Sequence, residues 1–289
     1  MKSMKAKKPR IGFIGQGFIG KNYADDFERR GYEVIRYSLE EPYVGNKEKI
    51  KDCRITFVAV PTPSTPDGFS DAIVRSALGC VGVGNIAVVK STILPGTTLS
   101  FQKENPTITV LYSPEFLSES TAAYDAAHPF SNIVGTCDDS PQQLLAAQEV
   151  LSVLPQAPYA TIMTSTQAEI VKYTHNLSGY TQIVLFNLMY DLAQSKGVEW
   201  DSIREALKND PHIANTYSNP IHKSGRGAGG HCFIKDMAAL RRLYERDIPG
   251  DANGVKVLRA MEAKNIDLLT DSKKDLDLLN GVYGESPKI

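Results

Sequence analysis

The stretch "RIGFIGQGFIGKNYADDFERRGYEVIRYS", Arg10 to Ser38, leaves this chain few folding options. "RIGFIG" reads as a buried strand, Gly15-Gln16-Gly17-Phe18-Ile19-Gly20 as a turn, "KNYADDFERRG" as a helix and "YEVIRYS" as a second strand. A GxGxxG spacing alone is common, but directly after a strand and at the head of a helix it acquires a mechanical meaning. Gly15 permits the tight turn, Gly17 lets a pyrophosphate approach the backbone, and Gly20 allows close helix–strand packing. The unpaired N–H groups of the helix terminus then face the phosphates.

Three further apolar runs, "ITFVAVPTP", "IAVVKST" and "ITVLYSPE", end at polar or proline residues, and helical stretches such as "SDAIVRSALGCV" separate some of them. "SNIVGT" and "QQLLAAQEVLSVL" complete the pattern near residue 155. Alternating elements with continuous apolar strands imply an α/β fold, a Rossmann-like doubly wound parallel sheet. We therefore place a dinucleotide-binding domain at residues 1–155 and a helical domain at 156–289. In the first, a carboxylate is expected about 20 residues past the glycines to bind the ribose hydroxyl of NAD. Ser38 stands there, with Glu40 and Glu41 just beyond. A small polar residue tolerates a 2′-phosphate, yet no arginine follows to bind one, so NAD is expected ahead of NADP and both stay open.

Composition narrows the partners. The chain has 289 residues with 32 Lys+Arg against 33 Asp+Glu, a formal net charge of -1, which gives no electrostatic case for nucleic acid or an anionic membrane. Cys53, Cys80, Cys137 and Cys232 form no CxxC pair, so neither a disulfide framework nor a metal site is expected. The basic start before "IGFIG" mimics a secretion signal, but Gly and Gln break the apolar run and no small-residue cleavage site follows. No stretch approaches a membrane span, and a cytoplasmic location is expected.

From about Thr166 the pattern turns helical. "STQAEIVKYTHNLSGYTQIVLFNLMYDLAQSKGV" runs without proline and with apolar residues near helical spacing, a long buried helix. Its apolar surface implies a homodimer through this domain. Lys172 and Asn176, four apart, share a face, which fits either a polar edge or a functional pair. "EWDSIREALKND" is the next helix, followed by the loop "HIANTYSNPIHKSGRGAGGHC" and a helix from about Ile234. Cys232 is thus expected just ahead of a helix N-terminus, where the dipole and Lys235 favour thiolate, with Asp236 one turn on. A buried structural thiol is the other reading. "NGVKVLRAMEAKNIDLLTDSKKDLDLL" reads as one final helix.

Together "GFIGQGFIG", "VAVPTP", "KSTILPGTT", "SPEFLSES", "AEIVKYTHN" and "GGHCFIKD" resemble the UDP-glucose/GDP-mannose dehydrogenase family, the nucleotide-sugar 6-dehydrogenases, over roughly residues 9 to 245. The resemblance implies a two-step oxidation of a sugar primary alcohol to a carboxylate with two NAD reduced, through a cysteine thiohemiacetal and thioester. It implies Cys232 as nucleophile, Lys172 and Asn176 as oxyanion donors, and Glu119 as general acid/base. Thr92 and Asp236 would lie around the catalytic water, with Glu115 a further carboxylate. Val60, Pro61, Thr62, Thr92 and Lys235 would join the glycine turn and Ser38 at the cofactor. Glu115, Phe116, Leu117, Lys172, Asn176, Tyr217, Arg226 and Gly229 would meet the substrate, the glycines before Cys232 wrapping its diphosphate. Arg226 and Lys223 are equally readable as solvated loop charges.

The chain departs from the family pattern in places. A second Rossmann-like, nucleotide-holding domain is expected after the last helix, yet the sequence ends at "GVYGESPKI". His212 and Ala214 in "PHIAN" stand where the family carries arginine and glycine, and Ile234 replaces its proline. Three readings follow: an active dehydrogenase, an NAD(P)-binding regulatory or scaffold protein without catalysis, or one part of an enzyme completed by another chain.

Overall fold

The computed structural model describes residues 8–214 and 216–285. The basic start at 1–7, Asn215 of the "PHIAN" stretch and the last four residues of the tail lie outside the described residues. The chain forms two compact units, Met1–Thr62 with Ser70–Lys172, and Pro63–Phe69 with Tyr173–Ile289.

The first unit is built on a seven-stranded sheet: β1 (Ile11–Ile14), β2 (Val34–Tyr37), β3 (Ile55–Val58), β4 (Ile86–Val89), β5 (Thr109–Tyr112), β6 (Ser131–Thr136) and β7 (Tyr159–Thr164), in the order β2-β1-β3-β4-β5-β6-β7. β1 to β5 pair in parallel. All four residues of β1, β3, β4 and β5 are buried, which is why these strands read as unbroken apolar runs. Helices α1 (Phe18–Arg29), α2 (Ala72–Leu78), α3 (Thr97–Glu104), α4 (Ala122–Ala127) and α5 (Pro141–Val153) accompany them. α1 turns Tyr23, Ala24 and Phe27 inward. There Phe27 meets Phe57 at 5.4 Å and Phe13 edge-on at 5.5 Å, while Phe13 stacks on Phe57 at 5.1 Å. α5 begins at Pro141 under the Ser140 cap, whose Oγ accepts the Gln143 N–H.

The sheet is not parallel throughout. β6 runs antiparallel to β5 and touches it through the single register pair Tyr112–Gly135, and β7 then pairs parallel to β6. A parallel neighbour requires a crossover back along the sheet. Here the connection after β5 holds only the six-residue α4, which packs on α1, so the chain re-enters from the end where β5 stopped.

In the second unit the long helix α6 (Ser165–Ser195), whose first residues belong to the first unit, is followed by α7 (Trp200–Lys208), α8 (Gly230–Asp247), α9 (Ala252–Asp271) and α10 (Leu276–Tyr283). Ile234 and Ala238 of α8 pack with Ile266 and Leu269 of α9 and with Leu279 and Val282 of α10. Tyr180 and Val184 of α6 pack with Ala228 and Met237. Glu262, fully buried, is held by Arg241 Nε at 2.5 Å and the Tyr283 hydroxyl at 2.7 Å.

Two helix ends differ from the sequence reading. α8 begins at Gly230, four residues before Ile234, so Cys232 sits inside its first turn rather than ahead of it. The Asp275 carboxylate accepts the Gly230 N–H at 2.7 Å and supplies a cap that local sequence does not reveal. The expected single helix after residue 252 breaks at Ser272–Asp275. Lys273 N bonds Thr270 O at 3.1 Å and Lys274 N bonds Leu269 O at 2.9 Å, a Schellman ending with left-handed Lys273 where glycine is usual.

The aromatic cluster makes a direct test of the sheet core. Phe57→Ala should cost about 3–5 kcal/mol, read as a lower urea midpoint with unchanged slope.

Candidate functional site

The glycine turn takes the form its spacing implies. Gly15 has φ +92, and a Cβ there or on Gly20 would collide with the Ala59 or Gly15 carbonyl oxygen, respectively. A Cβ on Gly17 meets no described atom within 4 Å. Gly17 is also the N-cap of α1, where no side chain among the described residues takes the terminal N–H groups and no acidic residue occupies the first turn. An open approach onto an uncapped helix terminus fits a dinucleotide pyrophosphate. Gln16 bonds inward, Nε2 donating to Gly15 O at 3.0 Å and Oε1 accepting from Arg36 Nη1 at 3.3 Å. Phe18 is exposed and Ile19 leans on the core.

Ser38 follows β2 directly, and its Oγ is engaged by the Glu40 backbone, donating to O at 3.0 Å and accepting from N at 3.3 Å. Arg36, buried two residues earlier, is already matched by Asp25 at 2.6 Å and Glu28 at 2.8 Å. Beyond β3 and β4, Ser91 Oγ donates to Val60 O at 2.7 Å and accepts from Val60 N at 3.0 Å. Thr62 Oγ1 donates to Thr92 O at 2.7 Å, with Pro61 exposed between Val60 and Thr62. These bonds lace the two loops at the same end of the sheet as the glycine turn.

Past β5 the chain places Glu115 against Lys172 of α6. The Lys172 ammonium donates to Glu115 O at 2.6 Å and to Oε1 at 2.9 Å, while Oε2 accepts the Leu117 N–H at 2.9 Å. Both side chains are at most 5% exposed. Burial works to raise the Glu115 carboxyl, but Lys172, the Leu117 N–H and Lys90 outweigh it and hold the group below the usual carboxylate range. Phe116 lies beside Phe130 and beneath the Lys172 ammonium, and Glu119 is exposed.

In the second unit Asn176 Nδ2 donates to Asp236 Oδ2 at 2.6 Å, and Lys235 Nζ to Asp236 Oδ1 at 2.5 Å. Asp236 is buried, whereas Cys232 is exposed and in no disulfide. The Tyr217 ring meets Phe233 edge-on at 5.7 Å. Arg226 is directed at α6, with Nε donating to Asn187 Oδ1 at 2.8 Å and Nη2 lying 2.6 Å from Asp191. Gly229 faces Asp275.

The sequence did not single out Lys90 or Glu169. Lys90 is 2% exposed, between the Tyr23 ring at 4.4 Å and Ser113, whose O and Oγ lie at 3.3 and 3.4 Å. Burial lowers its pKa to about 8, against the opposing pull of Glu115. Glu169, one turn before Lys172, accepts from Gly96 N at 2.6 Å, Thr98 N at 2.9 Å and Thr98 Oγ1 at 2.5 Å, capping α3. A lysine ending a strand and a glutamate in a helix carry no mark of burial, so no local signal points to them.

Comparison with known proteins gives the following. Residues 41–151 match the NAD binding domain, and residues 166–265 the central domain, of the UDP-glucose/GDP-mannose dehydrogenase family. UDP-glucose 6-dehydrogenase of Streptococcus pneumoniae is 30% identical over 280 residues, covering 83% of this chain and 70% of that protein. UDP-glucose 6-dehydrogenase AglM of Haloferax volcanii is 26% identical over 281 residues, covering 80% of this chain and 64% of that protein. The chain thus spans less than two thirds of the Haloferax relative. A UDP-glucose dehydrogenase structure from Pyrobaculum islandicum superposes with a TM-score of 0.76 at 25% identity, covering 90% of this chain and 69% of that one.

Two outcomes test this geometry. Gly17→Ala should leave stability within about 1 kcal/mol yet weaken NAD binding about tenfold or more by titration, because only the approaching phosphate meets the new methyl. For Lys90 the folded pKa lies below the free value, so the folded state holds fewer protons between pH about 8 and 10.5. The wild type should therefore gain stability over that window relative to Lys90→Met, on the order of 3 kcal/mol, followed by urea unfolding at successive pH values.

Proposed function

This chain belongs to the UDP-glucose/GDP-mannose dehydrogenase family, and we propose that it oxidises the primary alcohol of a UDP-glucose-like nucleotide sugar to the carboxylate in two NAD-dependent steps. The observation that carries this reading is the Glu115–Lys172 pair, bonded at 2.9 Å in a site nearly closed to water. Removing two charges from solvent is costly, and apolar residues of similar size pack at least as well, so such a pair is informative about chemistry.

Gly15 to Gly20 would hold the dinucleotide, which would supply the hydride acceptor in each oxidation. Arg36 is neutralised by two carboxylates, which favours NAD over a 2′-phosphorylated form. Lys172 and Asn176 stabilise the developing oxyanion, and Glu119 takes and returns the proton of the substrate hydroxyl. The Cys232 thiolate adds to the aldehyde carbon, and oxidation of that adduct leaves a thioester. Water, positioned by Thr92 and Asp236, cleaves the thioester and returns the thiolate, while Glu115 stays ionised and holds Lys172. Phe116, Leu117 and Tyr217 complete the substrate contacts.

The protein acts in the cytoplasm as a homodimer. Leu185, Leu188, Met189 and Leu192 form an exposed apolar stripe on α6, at 50, 43, 43 and 51% exposure, and a second copy would cover it. Among the described residues no helix is long and apolar enough to cross a membrane.

The test is absorbance of reduced nicotinamide with the full chain, NAD or NADP, and a panel of UDP-, GDP- and simple sugars. We expect signal with one nucleotide sugar at two reduced cofactors per acid formed. Cofactor binding with silence across the panel would instead favour a non-catalytic dinucleotide-binding protein or an enzyme completed by another chain. Cys232→Ser should abolish acid formation, and a normal acid yield from it would defeat the thioester route. Leu188→Glu should halve the mass seen by light scattering.

A further inference from the structure

The glycines before Cys232 do not face open space. A Cβ on Gly225 would lie 2.5 Å from Ser272 Oγ, and one on Gly227 would lie 3.1 Å from Asn265 Oδ1. On Gly229 it would collide with Asp275 Oδ2. Although the segment bends at Gly227, which has φ +91, all three glycines face the end of α9 and the turn after it. The same groups take the loop's backbone. Ser272 Oγ accepts from Arg226 N at 3.0 Å, and Lys274 Nζ donates to Gly227 O at 2.8 Å. Asn265 accepts from Ala228 N at 2.6 Å and donates to Ala228 O at 3.0 Å, and Asp275 accepts from Gly230 N at 2.7 Å.

Asn265 and Lys274 are buried, and Lys273 and Asp275 hold left-handed backbone at φ +55 and +52. Side chains other than glycine rarely adopt that conformation, and its recurrence within three residues marks a turn kept for what it holds. Gly230, at φ +74, is the first residue of α8, and Cys232 follows two residues later. A glycine-rich run left to itself samples many conformations.

We propose that Asn265, Ser272, Lys274 and Asp275 are positioning residues for Cys232, forming a clamp that fixes the glycine strand and the first turn of α8 so that the thiol is presented in one place. The inference rests on the reading of Cys232 as the nucleophile. Asp275 has the greatest leverage, because among the described residues its side chain is the one that holds Gly230, where α8 begins. The glycines answer to the clamp, since any side chain at 225, 227 or 229 would push it away.

The experiment compares Asp275→Ala with Asp275→Asn in the full chain by hydrogen exchange and by steady-state kinetics. In Asp275→Ala, exchange at the 226–231 amides should rise about tenfold or more. In the same variant kcat should fall at least about tenfold with the KM for NAD within about twofold. Asp275→Asn keeps an oxygen that accepts the Gly230 N–H and should restore both. Unchanged exchange and kcat in Asp275→Ala would overturn the clamp, and so would an asparagine variant as impaired as the alanine one. Faster exchange throughout α8 to α10 would overturn it too, as general loosening. If the wild type turns over no sugar, the proposed function fails while the exchange data still decide the clamp.

Discussion

Keeping Glu115 and Lys172 out of water is the constraint around which the first unit is arranged. A buried carboxylate persists as an anion only if its oxygens are all answered, and here Lys172 and the Leu117 N–H answer them. Lys172 must in turn be brought to the pair by its helix. Glu169 does this from one turn earlier by binding the α3 terminus through Gly96 and Thr98. Burial raises the Glu169 carboxyl, and the bonds from Thr98 and Gly96 only partly offset it, so its anchoring comes at some electrostatic cost. Lys90 adds a second buried cation near the first, and its lowered pKa reflects how little water reaches it.

What the sequence discloses and what it hides divide along physical lines. Gly15, Gly17 and Gly20 were legible because each answers a local steric demand within one turn, and β1, β3, β4 and β5 were legible because burial on both faces forces apolar runs. The reversal of β6 was not, since it depends on where the short α4 packs rather than on any residue of β6. The start of α8 was hidden because its cap, Asp275, lies 45 residues away along the chain. The break after α9 was hidden because Lys273 occupies a place where glycine would have announced it. Gly225, Gly227 and Gly229 gave a true signal of close approach but not its source. A glycine records that something comes near, and a ligand and the chain's own side chains leave the same record.

Ser38 shows a related limit. Its place after β2 was readable, and the lack of a carboxylate there left the cofactor's ribose undecided. The structure adds Arg36, which from sequence alone could have been counted as a phosphate ligand. Its guanidinium is spoken for by Asp25 and Glu28. An arginine so matched gains little by turning to a new anion.

The single register pair between β5 and β6 has a consequence for how this chain can change length. A Cβ on Gly135, which pairs with Tyr112, would lie 2.6 Å from the Ser165 backbone, so α6 starts level with the end of β5. Lys172 lies seven residues along a helix, a rise of about 10 Å. Glu115 lies three residues past Tyr112, also about 10 Å for extended chain. The two paths keep step as the rungs of a ladder do. One residue inserted between Ser165 and Lys172 would swing the ammonium by about 100° around the helix and strand the carboxylate. Insertions are thus barred from this short stretch, whereas the exposed turn at Gly197, which holds no such tally, is free to lengthen.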